Sequence, residues 1–458
     1  MTADPTLLAA QELADLERQS RSGRNGTTSE PADDTPAPSE APNLPASFYE
    51  ERTELAHIRD AAYCRARSAD AVLGVTLARL AVLTPPTLHL PAPVDTEATL
   101  DFAVALIGHS GAGKSGASRI GDELLRVDGD DLAVRALGSY EGLVESYLGM
   151  VEEVDDAGKT VQVKRQVRRG VLFELDEGQA LADMGTRKGS TLLPGIRSAA
   201  HGNRLGQANA SEDRRRHLPP REYRFALVAG FQLEHATALI DDAAGGTPQR
   251  FVYFAAEDRS IPDDAPLWPG ALDWRPPTRT AGPMGLDTEV ARQIRARALA
   301  RSRGATVIDQ LDAHRDLNRL KVAGLLAVLD RRTDITAGDW SLAGQVLDAS
   351  DRVRSSIIDA ARWRARENER ARTAKLVRQA ATLDDDAAGR AVANMARAVA
   401  RHVRRGKCDG GCRRRCVTIA TSSKDRKLAP VDDALDIASG HGWVVLDGDR
   451  IRPGGVAP

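Results

Sequence analysis

At 458 residues the chain is long enough for two or three domains, each with a substantial core. Its 63 Lys and Arg stand against 65 Asp and Glu, a formal charge of −2, which excludes a globally basic nucleic-acid binder and confines any such surface to a local patch. Four cysteines, three of them near the C-terminus, exclude a secreted disulfide framework; the first residues lack a basic start and an apolar run, and no segment approaches the length of a membrane span, so a cytoplasmic chain without membrane contact is expected.

In chain order, residues 1–46 include "SRSGRNGTTSEPADDTPAPSEAPNLP", too polar and too rich in Pro and Ser to bury a core, and read as a flexible arm. Residues 47–96 carry helical periodicity in "LAHIRDAAYCRARSADAVLGVTLARLAVL", stopped by "TPPTLHLPAPVD", and form a small helical segment. An α/β core follows over 97–285, a helical region over 286–380 and a basic module over 381–458.

Within the core, "FAVALIGHSGAGKSGAS" places G-x-x-x-x-G-K-[ST] directly after an apolar strand. Gly108, Gly111, Gly113 and Gly116 let backbone N–H groups turn toward phosphates at the positive end of the following helix. Lys114 reaches the β/γ-phosphates, and the Ser115 hydroxyl suits Mg²⁺. The implied ligands are ATP and Mg²⁺. The partner carboxylates stand about sixty residues on in "RRGVLFELDEGQAL": Asp176 for Mg²⁺ and Glu177 to polarise the attacking water. Glu174 interrupts that strand, so either it meets a basic partner or the register differs. A third strand, "REYRFALVAGFQ", ends in Gln232, which is either a sensor of the γ-phosphate or an ordinary strand exit. Between these strands, "GNRLGQANASEDRRRHLPPREYR" reads as a hairpin with Arg214, Arg215 and Arg216 at its tip, either a grip on a phosphate backbone or a solvated surface. In "AAGGTPQRFVYFAAEDRSIPDD", Arg250 is either a transition-state arginine acting across a subunit interface or a local ion-pair partner.

The succession "LPASFYEERTELAHIRDAAYCRARSADAVLGVTLAR", "VALIGHSGAGKSGAS", "LGSYEGLVESYLG", "LFELDEGQAL" and "GTPQRFVYFAAEDRSIPD" resembles the helicase-type P-loop ATPases of actinobacterial phages, prophages and integrative plasmids. The resemblance implies a homo-oligomeric, ring-forming (hexameric) ATP-driven motor on DNA in the bacterial host cytoplasm, with Lys114, Ser115, Asp176 and Glu177 as the hydrolytic set and Arg250 as the finger. Such units are often fused to a primase-polymerase domain; here priming is expected from a separate primase or other replication proteins. "HRDLNRLKVAGLLAVLDRRTDITAGDWSLAGQVLDAS" is similar to the lid helices of AAA+ helicases of the minichromosome maintenance type, which makes Arg315 or Arg319 a second nucleotide sensor; otherwise their arginines face water on an amphipathic helix.

From Arg401 to Lys427 ten Lys or Arg, among them Arg413, Arg414 and Arg415, oppose only Asp409 and Asp425. "PVDDALDIASGHGWVVLDGDRIRPG" then reads as a helix and two strands, so a winged helix that binds DNA is expected. Cys408, Cys412 and Cys416, with His402, have the donor types for zinc, but C-x₃-C-x₃-C lacks the usual knuckle. Cys412 and Cys416 packed on one face of a metal-free helix is the favoured reading. The chain thus reads as a P-loop NTPase core with an AAA+/RecA-like parallel sheet, a helical lid and a C-terminal winged helix. Its expected function is a DNA helicase or translocase in replication of a phage or other mobile element. An ATP-switched DNA-binding initiator or regulator without unwinding activity is the alternative, and a packaging motor a third.

Overall fold

The computed structural model describes residues 42–458 apart from 95, 127–131, 155–157, 187–189, 208–215, 407 and 409–410. The expected arm up to residue 41, Arg214, Arg215, Lys407, Asp409 and Gly410 lie outside the described residues. The chain divides into two compact units, one up to Ile357 and one from Ile358.

The first unit is built on five parallel strands: β1 (Phe102–Gly108), β2 (Ala133–Ala136), β3 (Gly170–Leu175), β4 (Arg224–Gln232) and β5 (Phe251–Ala255), in spatial order β5-β1-β4-β3-β2. Every residue of β1 and β5 is buried, as a parallel sheet covered on both faces demands. Alternation along each strand divides the core in two. Phe102, Val104, Leu106, Val228 and Phe254 join one cluster, and Ala103, Ala105, Ile107, Leu227 and Tyr253 the other. Glu174 keeps the strand register, opposite Ala136 and Val228.

Helices α1 (Thr53–Tyr63), α2 (Ala69–Leu83), α3 (Lys114–Leu124), α4 (Thr288–Ser302), α5 (Arg315–Leu329) and α6 (Ala337–Arg404) follow the apolar periods of the chain. In α2, "ADAVLGVTLARLAVL", every residue but the last is buried, so the helix needs neighbours on all sides. It packs across β1, β3, β4 and β5 and touches α1, α3 and α5. The segment expected as a separate helical preamble is therefore a covering layer of the sheet. Ser68 caps α2, accepting from Ala71 N (3.3 Å) and donating to Ala255 O (2.7 Å), which ties the helix start to the end of β5. The region expected as a lid also enters this core. In α5 the buried Lys321 Nζ donates to the carbonyls of Asp101 and Ala200, both at 2.7 Å.

Two antiparallel pairs project from the sheet connections. One joins Leu148–Val154 to Thr160–Gln166; the other joins Leu205–Gln207 to Arg216–Leu218 with Gln207 opposite Arg216. The second is the expected hairpin, but Arg216 does not sit at its tip. It opens the returning strand, and its Nε donates to Glu145 at 2.8 Å.

In the second unit the end of α6 packs Met395, Val399 and Val403 against Val417, Leu435, Val444 and Ile451. Cys412–Arg413, Val444–Asp447 and Arg450–Pro453 form a three-stranded antiparallel sheet with the last strand in the centre. Helices Arg414–Ala420, Asp425–Leu428 and Val431–Gly440 lie between its first and second strands. Cys412 and Cys416 do not share a helix face: Gly411, at φ +103°, starts a strand that carries the buried Cys412, and Cys416 belongs to the helix after it.

Candidate functional site

At the C-terminal end of β1 the chain turns through residues 109–113 into α3. Gly111 (φ +82°) and Gly113 (φ +87°) take the left-handed conformation that a side chain resists, and Gly113 is the cap of α3. A Cβ at Gly108 would come within 2.9 Å of Ala112 Cβ and 3.0 Å of Ala256 Cβ, so that position is glycine for want of room. Lys114 curls back over the loop, donating to the carbonyls of Gly108 (3.0 Å) and His109 (2.9 Å). Burial holds its pKa below the usual lysine value, against the opposing pull of Glu257 and Glu234.

β4 lies between β1 and β3, and its small residues bring the two halves of the site together. A Cβ at Gly230 would stand 3.0 Å from Asp176 O and 3.4 Å from Lys114 Cδ. Across this gap Ser115 Oγ donates to Asp176 Oδ1 at 3.4 Å, which sets a hydroxyl and a carboxylate oxygen side by side. Paired oxygen donors of this kind are the ligand type Mg²⁺ takes. Glu177 follows as an exposed carboxylate, and the exposed Gln232 ends β4 directly opposite Gly108. The fold thus brings Gly108, Lys114, Ser115, Asp176 and Gln232 to one end of one sheet.

Among the described residues Glu174 has no hydrogen-bonded basic partner. Its Oε1 is buried without a donor, while the nearby Arg79 is ion-paired to Asp122. Burial, and then the Asp122 charge, push the Glu174 carboxyl above its usual value, with Arg79 pulling the other way.

Three further side chains border the loop and were missed. Glu257 Oε1 accepts from the backbone N (2.9 Å) and Nδ1 (2.6 Å) of His109, whose Nε2 lies 3.4 Å from Glu234. Burial pushes the Glu257 carboxyl up, but the His109 contacts outweigh it and hold it below the usual range. A cavity of about 240 Å³ opens beside this cluster, lined among others by Asn43, Ile107, His109, Leu233, Glu257 and Val353. The only sequence-level signal for Glu257 was its place at the end of an apolar strand, "FVYFAAED", one strand over from the loop.

Arg250 closes a short turn (Pro248–Arg250) just before β5. Phe251 pairs with Ala103, five residues before Gly108, so Arg250 lies about six residues back from the loop, which at ~3.3 Å per residue puts its backbone roughly 20 Å away. Its guanidinium donates from Nη1 to Gly246 O and lies with Nε 3.2 Å from His201 Nδ1. Burial, then the Arg197 charge, lower its pKa to about 10. The His201 and His314 rings meet edge to face at 5.1 Å, and burial holds each imidazole at about 4.

The arginines of α5 are engaged within the chain. Arg319 donates to Trp340 O from Nε (3.0 Å) and Nη2 (2.7 Å), with its guanidinium 4.1 Å above the Trp340 ring; Arg315 pairs with Asp348 and with Asp351 at 2.8 Å. In the second unit Arg414 is ion-paired to Asp432, whereas Arg413 and Arg415 are exposed and line a cavity of about 480 Å³ with Arg450, Cys408 and Cys416. The Cys408 and Cys416 sulfurs lie 3.6 Å apart, and His402 Nε2 is buried without a partner. Among the described residues no group of three or more His, Cys, Asp or Glu side chains is arranged to hold a metal ion, and no helix is long and apolar enough to cross a membrane. The chain matches no family model and no curated protein.

Proposed function

We propose that the chain hydrolyses ATP and couples that reaction to DNA as a helicase or translocase, in the manner of the mobile-element P-loop ATPases it resembles. The approach of Ser115 to Asp176 across β4 carries the reading: a phosphate-type loop and a carboxylate come from strands that are not neighbours, with Gln232 on the strand between. Mg²⁺ would be held by Ser115 and Asp176 and would neutralise phosphate charge. Lys114 exchanges two backbone carbonyls for β/γ-phosphate oxygens, and Glu177 orients the attacking water. A winged-helix reading of the second unit is supported by its element order, the end of α6, a short strand, three helices and two final strands, with Arg413 and Arg415 exposed.

Roughly 20 Å of strand separates Arg250 from its own loop, beyond a side chain's reach of its own γ-phosphate, so any action on phosphate would be on a neighbouring copy in an oligomer. The test is the ATPase rate with and without single-stranded DNA, measured together with oligomeric state. DNA-stimulated turnover by an oligomer, abolished in Lys114→Ala, is the expected outcome. Slow hydrolysis indifferent to DNA would instead favour the ATP-switched initiator.

A further inference from the structure

We propose that Arg67 is an additional contact for the nucleotide, its guanidinium pairing with the α/β-phosphate oxygens; the inference rests on the nucleotide-binding reading above. Gly116 raises the question. The motif leaves the residue after Ser115 free, and Gly116 lies inside α3 with no left-handed φ, where glycine costs roughly 1 kcal/mol relative to alanine. The group that a side chain there would meet is Arg67. A Cβ at Gly116 would lie 2.6 Å from Arg67 Nε, and one at Gly113 would lie 2.5 Å from its Cδ and 2.7 Å from its Nε. The arginine thus crosses the loop and the first turn of α3.

Its own backbone is fixed by the turn between α1 and α2. Ala66 is at φ +50°, Arg67 N donates to Ala62 O at 3.0 Å, and Ser68 caps the next helix. Of the five donors on its fork, one is used among the described residues, from Nη1 to Ala66 O at 2.8 Å. A guanidinium laid against the positive end of a helix is repelled by it, and the first-turn N–H groups there lack partners too. A polyanion seated between the two reverses both penalties. The loop amides cradle the α- and β-phosphates, and Lys114 serves the β/γ side, so the Arg67 contact exists with ADP as well as ATP. Equal help to both is uniform binding, which appears in Kd and KM rather than in kcat.

The experiment is calorimetric titration of the full chain with ADP, ATP and inorganic tripolyphosphate, alongside steady-state hydrolysis. Arg67→Ala should weaken all three by a similar factor, about 10- to 100-fold for a charge-assisted pair, with the loss in KM. Arg67→Lys should recover part of it. Unchanged ADP affinity in Arg67→Ala, or a loss confined to nucleotides and absent for tripolyphosphate, would each overturn the proposal while leaving the nucleotide site standing. A wild-type chain that binds none of the three overturns both.

Discussion

Asp176 and Glu177 are adjacent and both exposed just past the end of β3, but Asp176 alone meets Ser115, at 3.4 Å, and under the proposed function that contact gives the two carboxylates separate roles. Glu177→Gln keeps shape and hydrogen bonding but cannot act as a base, so it should retain ATP without cleaving it. Asp176→Asn should weaken Mg²⁺-dependent nucleotide binding itself. Identical behaviour of the two variants in binding and turnover assays would return Glu174 to candidacy. A second residue-scale expectation concerns His201 and His314, each held at about 4 against an ordinary value near 6.5. Their folded pKa lies below the unfolded one, so the unfolded chain binds protons that the folded chain refuses. Stability from this pair is complete above pH ~6.5 and is lost as pH falls toward about 4. The melting temperature of the wild type should therefore drop more steeply across that window than that of His201→Gln/His314→Gln; parallel slopes would show that the rings are not held neutral by their burial.

At the scale of elements, the contact between α2 and β5 sets two glycine effects against each other. Alanine inside a helix ordinarily gains roughly 1 kcal/mol over glycine. A Cβ at Gly74, however, would come within 2.7 Å of Phe254 Cδ2 and 2.9 Å of its Cε2, and that ring is buried in the core. Overpacking of this kind costs about 1–3 kcal/mol, so Gly74→Ala should be net destabilising, read as a lower urea midpoint at unchanged slope. A raised midpoint would mean that the ring has room to move. The same helix shows what the sequence could convey. Runs such as "FAVALI" and "RFALVAGFQ" declare buried parallel strands because each is apolar on both faces, and the loop motif marks the end of β1 at which the proposed site stands. The all-round apolar character of α2 declares burial but names no partner, so its place across four strands was invisible. Glu257, 148 residues from His109 in sequence, is likewise brought in only by the β5–β1 pairing. Gly116 was a local signal of Arg67, readable only once the arginine's path over α3 was known.

At the scale of the whole molecule, the sheet separates two ends of the proposed chemistry. Its C-terminal edge carries Lys114, Ser115 and Asp176, and its opposite edge carries Arg250, half-buried beside His201 and Gly246. A single copy therefore holds a loop without a nearby Arg250, and an Arg250 without a nearby loop. Head-to-tail association would join them, and repetition of that contact would give a ring where its rotation closes. In that arrangement Arg250→Ala should leave ATP affinity nearly intact and lower DNA-stimulated hydrolysis by on the order of 10³-fold, the scale of a transition-state arginine. Lys114→Ala alone is also expected to be inactive. Mixing the two variants should restore part of the activity, because an interface between them can pair one intact loop with one intact arginine, whereas neither homo-oligomer contains such a pair. Activity in the mixture, measured as a function of mixing ratio, should peak at intermediate composition. A monomer under ATP and DNA, with Arg250→Ala turning over normally, would mean that the His201 and Gly246 contacts are the arginine's whole purpose, and the ATP-switched DNA-binding reading would then take precedence.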